Sequence, residues 1–73
     1  MKIEKDSSEN KYIEVDMDNG EKVRVTHIAK SWSGQGGLRI QIRDERGHLR
    51  PGPEIPAEKI GEVVSGLFDL VRS

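Results

Sequence analysis

The chain has no cysteine, so no disulfide can staple it, and a metal site would need histidine or carboxylate ligands. Its two histidines, His27 and His48, have no ligand-like spacing to other donors, which argues against structural zinc. No apolar run approaches the ~18 residues of a membrane helix. The first residues lack the apolar stretch of a secretory signal. These absences lead us to expect no metal, no cofactor, no membrane association and a cytoplasmic location. Aromatic residues are scarce too: one tyrosine, one tryptophan and one phenylalanine in 73 residues.

What is present makes one small domain. About a third of the chain is hydrophobic, and a core of that size typically supplies only about 3–5 kcal/mol. With disulfides and zinc excluded, the remaining staple is a second copy of the chain. The net charge of −1 hides an uneven distribution. Residues 1–21 carry a balance of −4 and residues 53–73 one of −2, whereas residues 22–50 carry +5. Five of the seven bases in that middle segment are arginine, the side chain suited to bidentate and stacked contacts with phosphates and bases.

Residues 1–10 are polar and aperiodic, as a disordered tail would be. A single domain is expected over residues 11–73. From Lys11, Ile13, Val15 and Met17 alternate with Tyr12, Glu14 and Asp16, the period of a half-buried strand. Asn19-Gly20 signals a hairpin turn. The second strand is expected from Lys22 to Trp32, with Val23, Val25, His27 and Ala29 on one face and Arg24, Thr26, Ile28, Lys30 and Trp32 on the other. The run Ser33–Gly37 is a flexible connection. The third strand, Leu38–Arg43, sets Leu38, Ile40 and Ile42 against Arg39, Gln41 and Arg43. Pro51 and Pro53 restrict the next extended segment to an edge strand or an irregular one. Pro56 suits the start of a helix. Ile60, Val63, Val64, Leu67, Phe68, Leu70 and Val71 give that helix an apolar arc wider than one sheet contact requires. The expected fold is α+β: a four-stranded antiparallel sheet followed by a C-terminal helix (ββββα), dimeric through those helix residues.

For catalysis the inventory is poor, and no enzyme is expected. His27 fits a satisfied, partly buried histidine near no recognisable nucleophile arrangement. Asp44 and Glu45 fit a solvated turn. The Gly-rich run opens no helix and has no following Lys-Ser/Thr, so it fails the P-loop pattern. The polar faces of the second and third strands are more informative. Arg24, Lys30, Arg39 and Arg43, with Gln41 and Trp32, would form a basic surface carrying an aromatic. On such a surface cations track a nucleic-acid backbone while aromatic and guanidinium planes stack on bases. Trp32 has two open readings: a ring folded over the sheet edge, or a stacking platform.

The runs L-R-I-Q-I-R-D-E (38–45) and R-P-G-P-E-I (50–55), the upstream K-V-R-V-T (22–26) and the amphipathic C-terminal helix resemble the single-strand-binding domain of the positive cofactor four transcriptional coactivator family. The motif match comprises Ile40, Ile42, Arg43, Pro51, Gly52 and Ile55. The resemblance implies a homodimer with paired helices whose sheets present grooves for single-stranded DNA, acting with the transcription machinery. It assigns Arg43 to backbone or base contact and makes Arg50 the cation of the Pro-Gly segment. The chain departs from the family at Pro53-Glu54, where further basic residues are common, and in the polar pair Glu45-Arg46, where an aromatic is common. The rival reading is a homodimeric protein-interaction module of the same fold without nucleic acid, for which the acidic balance of the whole chain speaks.

Overall fold

Alternation of apolar and polar residues builds three long antiparallel strands, and the one 3.6-period segment builds the helix. The computed structural model describes all 73 residues. The elements in chain order are β1 (Glu4–Lys5), β2 (Lys11–Asp16), β3 (Lys22–Ile28), β4 (Gly37–Arg43), β5 (Leu49–Arg50), β6 (Glu54–Pro56) and α1 (Ala57–Arg72). The sheet runs β1-β2-β3-β4, and β5 and β6 share the far edge of β4. The chain is therefore α+β, an antiparallel sheet followed by one C-terminal helix. No helix is long and apolar enough to cross a membrane.

Three details differ from the sequence reading. The N-terminal residues expected to form a disordered tail instead pair Glu4 with Tyr12 and Lys5 with Lys11. An Asp6 carboxylate oxygen closes that turn by accepting from the Ser8 and Asn10 amides, both at 2.9 Å. The hairpin signalled by Asn19-Gly20 is present between β2 and β3. It spans residues 17–21, with positive φ at Asp18 and Gly20, and the Met17 amide donates to the Glu21 carbonyl at 2.9 Å. The second strand stops at Ile28 rather than Trp32, because Ser31 turns the chain. Its amide and its hydroxyl both donate to the Gln35 carbonyl, at 2.6 and 2.7 Å.

The expected fourth strand is split, which together with the N-terminal β1 makes six strands of the predicted four. Pro51-Gly52-Pro53 divides it into β5, opposite Ile42–Arg43, and β6, opposite Gly37–Arg39. Between the halves the Ile40 amide still finds a partner, the Pro53 carbonyl at 2.9 Å. Two glycines permit this close approach. A Cβ on Gly52 would overlap the Ile40 carbonyl oxygen, and one on Gly37 would overlap that of Ile55.

Cross-strand register sorts the side chains onto two faces. Ile13, Val15, Val23, Val25, Leu38, Ile40 and Ile42 share one face, and none of them is buried. His27 is on this face and is exposed rather than half-buried, since nothing in the single chain covers it. The buried residues Thr26, Ile28, Ser31, Gly37 and Pro56 gather where β3, β4 and β6 meet, and Ile28 is the one large apolar side chain among them. Helix α1 touches only β4 and β6, and none of its residues is buried. Pro56 precedes its first turn, and the Ala57 amide donates to the Gly36 carbonyl at 2.8 Å. Glu58 near the start and Arg72 near the end complement the helix dipole. Val64, Leu67, Phe68 and Leu70 remain 43%, 58%, 58% and 73% exposed.

Candidate functional site

The polar face is organised by two carboxylates, each of which joins residues far apart in sequence. Antiparallel pairing of β2, β3 and β4 sets Glu14 beside Arg24, Arg24 beside Gln41, and Thr26 beside Arg39. Glu14 Oε2 accepts from Arg24 Nε at 3.1 Å and from Arg43 Nε at 3.0 Å. The Arg24 guanidinium also stacks on the Tyr12 ring, 3.9 Å from its centroid, which leaves its side chain 12% exposed. Arg43 is more open and donates a further bond to the Gly47 carbonyl at 2.8 Å. Partial burial pushes the Glu14 carboxyl up. Its hydrogen bonds from Arg43 and Arg24, together with their charges, outweigh this and hold it below its ordinary value.

Glu54 plays the same part at the other end of the face. Opposite Arg39 in the β4–β6 pairing, its Oε2 accepts from Arg39 Nη2 at 2.9 Å and Nε at 3.2 Å. Its Oε1 accepts from the Trp32 amide, and its main-chain carbonyl accepts from Trp32 Nε1, both at 3.1 Å. The indole is thus held by its polar edge while the residue stays 74% exposed. A tryptophan folded over the sheet edge to hide its ring would show the opposite pattern.

The residues singled out in the sequence divide accordingly. Arg24, Arg39, Gln41 and Arg43 share one face of β3 and β4. Trp32, though outside the strand, joins Arg39 through Glu54. The Gln41 side-chain amide has no protein partner, so its donors and acceptor are available to a ligand. Lys30 is exposed just beyond β3 and pairs with no carboxylate. Arg50 departs from the group: it is paired with Ile42, on the apolar side, and Nη2 donates to Glu21 Oε2 at 2.8 Å.

Glu14, Glu54 and Tyr12 are members of the site that the sequence reading missed. Glu14 was traceable, since strand alternation puts it on the polar face and the hairpin puts it opposite Arg24. Glu54 was not, because its partners follow only from the pairing of a broken edge strand. Along the strands this face carries Lys22, Arg24, Arg39 and Arg43 against Glu4, Glu14, Asp16 and Glu54, no net charge, whereas the segment 22–50 read along the sequence carries five positive charges. No three histidine or acidic side chains converge on a point that could hold a metal ion. Comparison with protein-family models, with curated proteins and with solved structures finds no match.

Proposed function

We propose that this chain is a non-enzymatic, cytoplasmic domain that binds single-stranded nucleic acid, DNA first, on the polar sheet face of a homodimer and serves transcription. One observation carries the reading: an exposed indole, fixed at its edge and open on its rings, stands beside Arg39 through a shared carboxylate. Unstacked bases need such a platform, and base–aromatic stacking contributes about 1–3 kcal/mol per base. Gln41 adds an amide for base edges, and Arg43 and Lys30 add charge.

Support for the homodimer comes from area. The isolated chain exposes 5635 Å², whereas a folded monomer of 8.2 kDa is expected to expose roughly 4,500 Å². The excess, roughly 1,100 Å², exceeds the ~800 Å² per partner of a standard interface. Much of it is apolar, from Val64, Leu67, Phe68, Leu70 and Val71 of α1. A second copy laid on this helix covers the arc that the chain's own sheet leaves bare.

A second reading, the homodimeric interaction module without nucleic acid, is favoured by the carboxylate partners of Arg24, Arg39 and Arg43. A fluorescence titration separates the two. Under the nucleic-acid reading, a poly-pyrimidine single strand quenches Trp32 and a duplex of equal length does so far less. Trp32→Ala then weakens single-strand binding about ten- to hundred-fold with little change in unfolding stability. Absence of quenching, with no binding of either strand form, leaves the interaction module.

A further inference from the structure

We infer that Glu14 and Glu54 set the preference of the polar face for single strands over duplexes by occupying its arginines. This inference rests on the nucleic-acid reading above. Arg24 and Arg43 converge on one oxygen of Glu14, and Arg39 is held by one oxygen of Glu54. The side-chain exposures are 22% for Glu14 and 26% for Glu54, against 29% for Arg43 and 43% for Arg39. These pairs are therefore only partly screened by water, and a phosphate that approaches either guanidinium meets a charge already neutralised by a bonded carboxylate, so it gains less than from a free arginine.

That competition bears unequally on the two forms of nucleic acid. A duplex presents phosphates on its outside and keeps its bases stacked within, so its attraction to a surface is chiefly counterion release by lysine and arginine. On this face most of that attraction is already taken up inside the protein. A single strand has a second source of affinity, since an unpaired base can stack on Trp32 and present its edge to Gln41. These contacts require neither ion pair to open. The carboxylates thus suppress the phosphate-driven binding that both forms share and leave the base-driven binding that only the single strand has. Glu54 does both at once: Oε2 occupies Arg39 while Oε1 and the carbonyl fix the tryptophan.

Glu14→Gln and Glu54→Gln each remove a competing charge while keeping an oxygen that can accept a hydrogen bond. Affinities of wild type and both variants for a thymidine 20-mer and for a 20-base-pair duplex should be measured at 50 and 200 mM salt. Circular dichroism and Trp32 emission serve to verify folding. Each variant should gain duplex affinity, so that the single-strand to duplex ratio falls. Because one added phosphate contact steepens the duplex salt slope by about 0.9, each variant should lose about 3.5-fold more duplex affinity than wild type over that salt range. Glu62→Gln makes the same charge change on the helix and should leave the ratio unaltered. If wild type prefers the single strand and both glutamine variants keep its ratio, the inference is overturned while the binding reading stands. A ratio moved equally by Glu62→Gln overturns it as well. Wild type that binds neither nucleic acid removes both.

Discussion

If a second copy covers the exposed helix, folding and association are one equilibrium and the unfolding midpoint must follow protein concentration. Tenfold dilution of a two-state dimer removes about 1.4 kcal/mol of apparent stability. Urea m-values grow with the surface exposed on unfolding, and for two chains of this length about 2–3 kcal/mol/M is expected. The midpoint should therefore fall by about 0.5–0.7 M urea per tenfold dilution, or about 1–1.4 M between 100 and 1 μM. Val64→Asp sharpens the test, because Val64 is 43% exposed in the single chain. In a monomer the substitution would cost little beyond helix propensity, at most about 0.7 kcal/mol. In a helix–helix interface it places a carboxylate among apolar side chains, a change costing several kcal/mol. Circular dichroism in urea at several concentrations, with sedimentation equilibrium alongside, reads both effects. A concentration-independent midpoint, together with a Val64→Asp loss no larger than propensity allows, would refute the dimer.

Gly52→Ala and Gly37→Ala should each destabilise the domain by at least about 2 kcal/mol, because the added methyl meets main chain that cannot swing aside; a thermal melt equal to wild type for either would show that the split edge is looser than described. Acid should weaken the fold through Glu14. Its carboxyl is held below its ordinary 4.5, so its stabilising effect is complete above that value and is lost as pH falls through the lower folded value. Glu14→Gln should reduce stability at pH 7 and flatten the acid limb of the stability–pH curve. An unchanged acid limb would mean that the paired arginines do not stabilise the charged carboxylate.

Local pattern made the three long strands and the helix legible. The alternation of Ile13 and Val15, of Val23 and Val25, and of Leu38, Ile40 and Ile42 admits one face per strand. What stayed hidden depended on single side-chain bonds or on pairing across the sheet. Alternation runs on through Ala29 to Trp32, and the Ser31 amide and hydroxyl, both turned onto the Gln35 carbonyl, end the strand early. Asp6 ordered residues that composition had marked as a tail. Arg39 and Arg43 were placed on the polar face, but their carboxylate partners lie 15 and 29 positions away. A charge balance taken along the chain therefore described an open basic patch where the folded face is nearly neutral. Arg50 lies apart from the other arginines for a related reason: its face is fixed by pairing with Ile42 across a turn, which no motif read along the chain supplies.

The break at Pro51-Gly52-Pro53 also governs how copies of this chain can meet. An uninterrupted strand beyond β4 would offer a full row of main-chain donors and acceptors, an invitation to edge-on growth from molecule to molecule. Here that border consists of two- and three-residue pieces, and prolines flank the gap between them. Neither piece is long enough to template a neighbour, and the prolines bring no N–H to donate. In the homodimer proposed above, contact between copies would thereby be directed away from this margin and toward the bare helix and the uncovered apolar sheet face. Two chains related by a twofold axis can satisfy those surfaces mutually and stop. If the chain pairs as proposed, a stretch of sequence that looks like a flaw in the fourth strand would thus separate a finite assembly from an open-ended one.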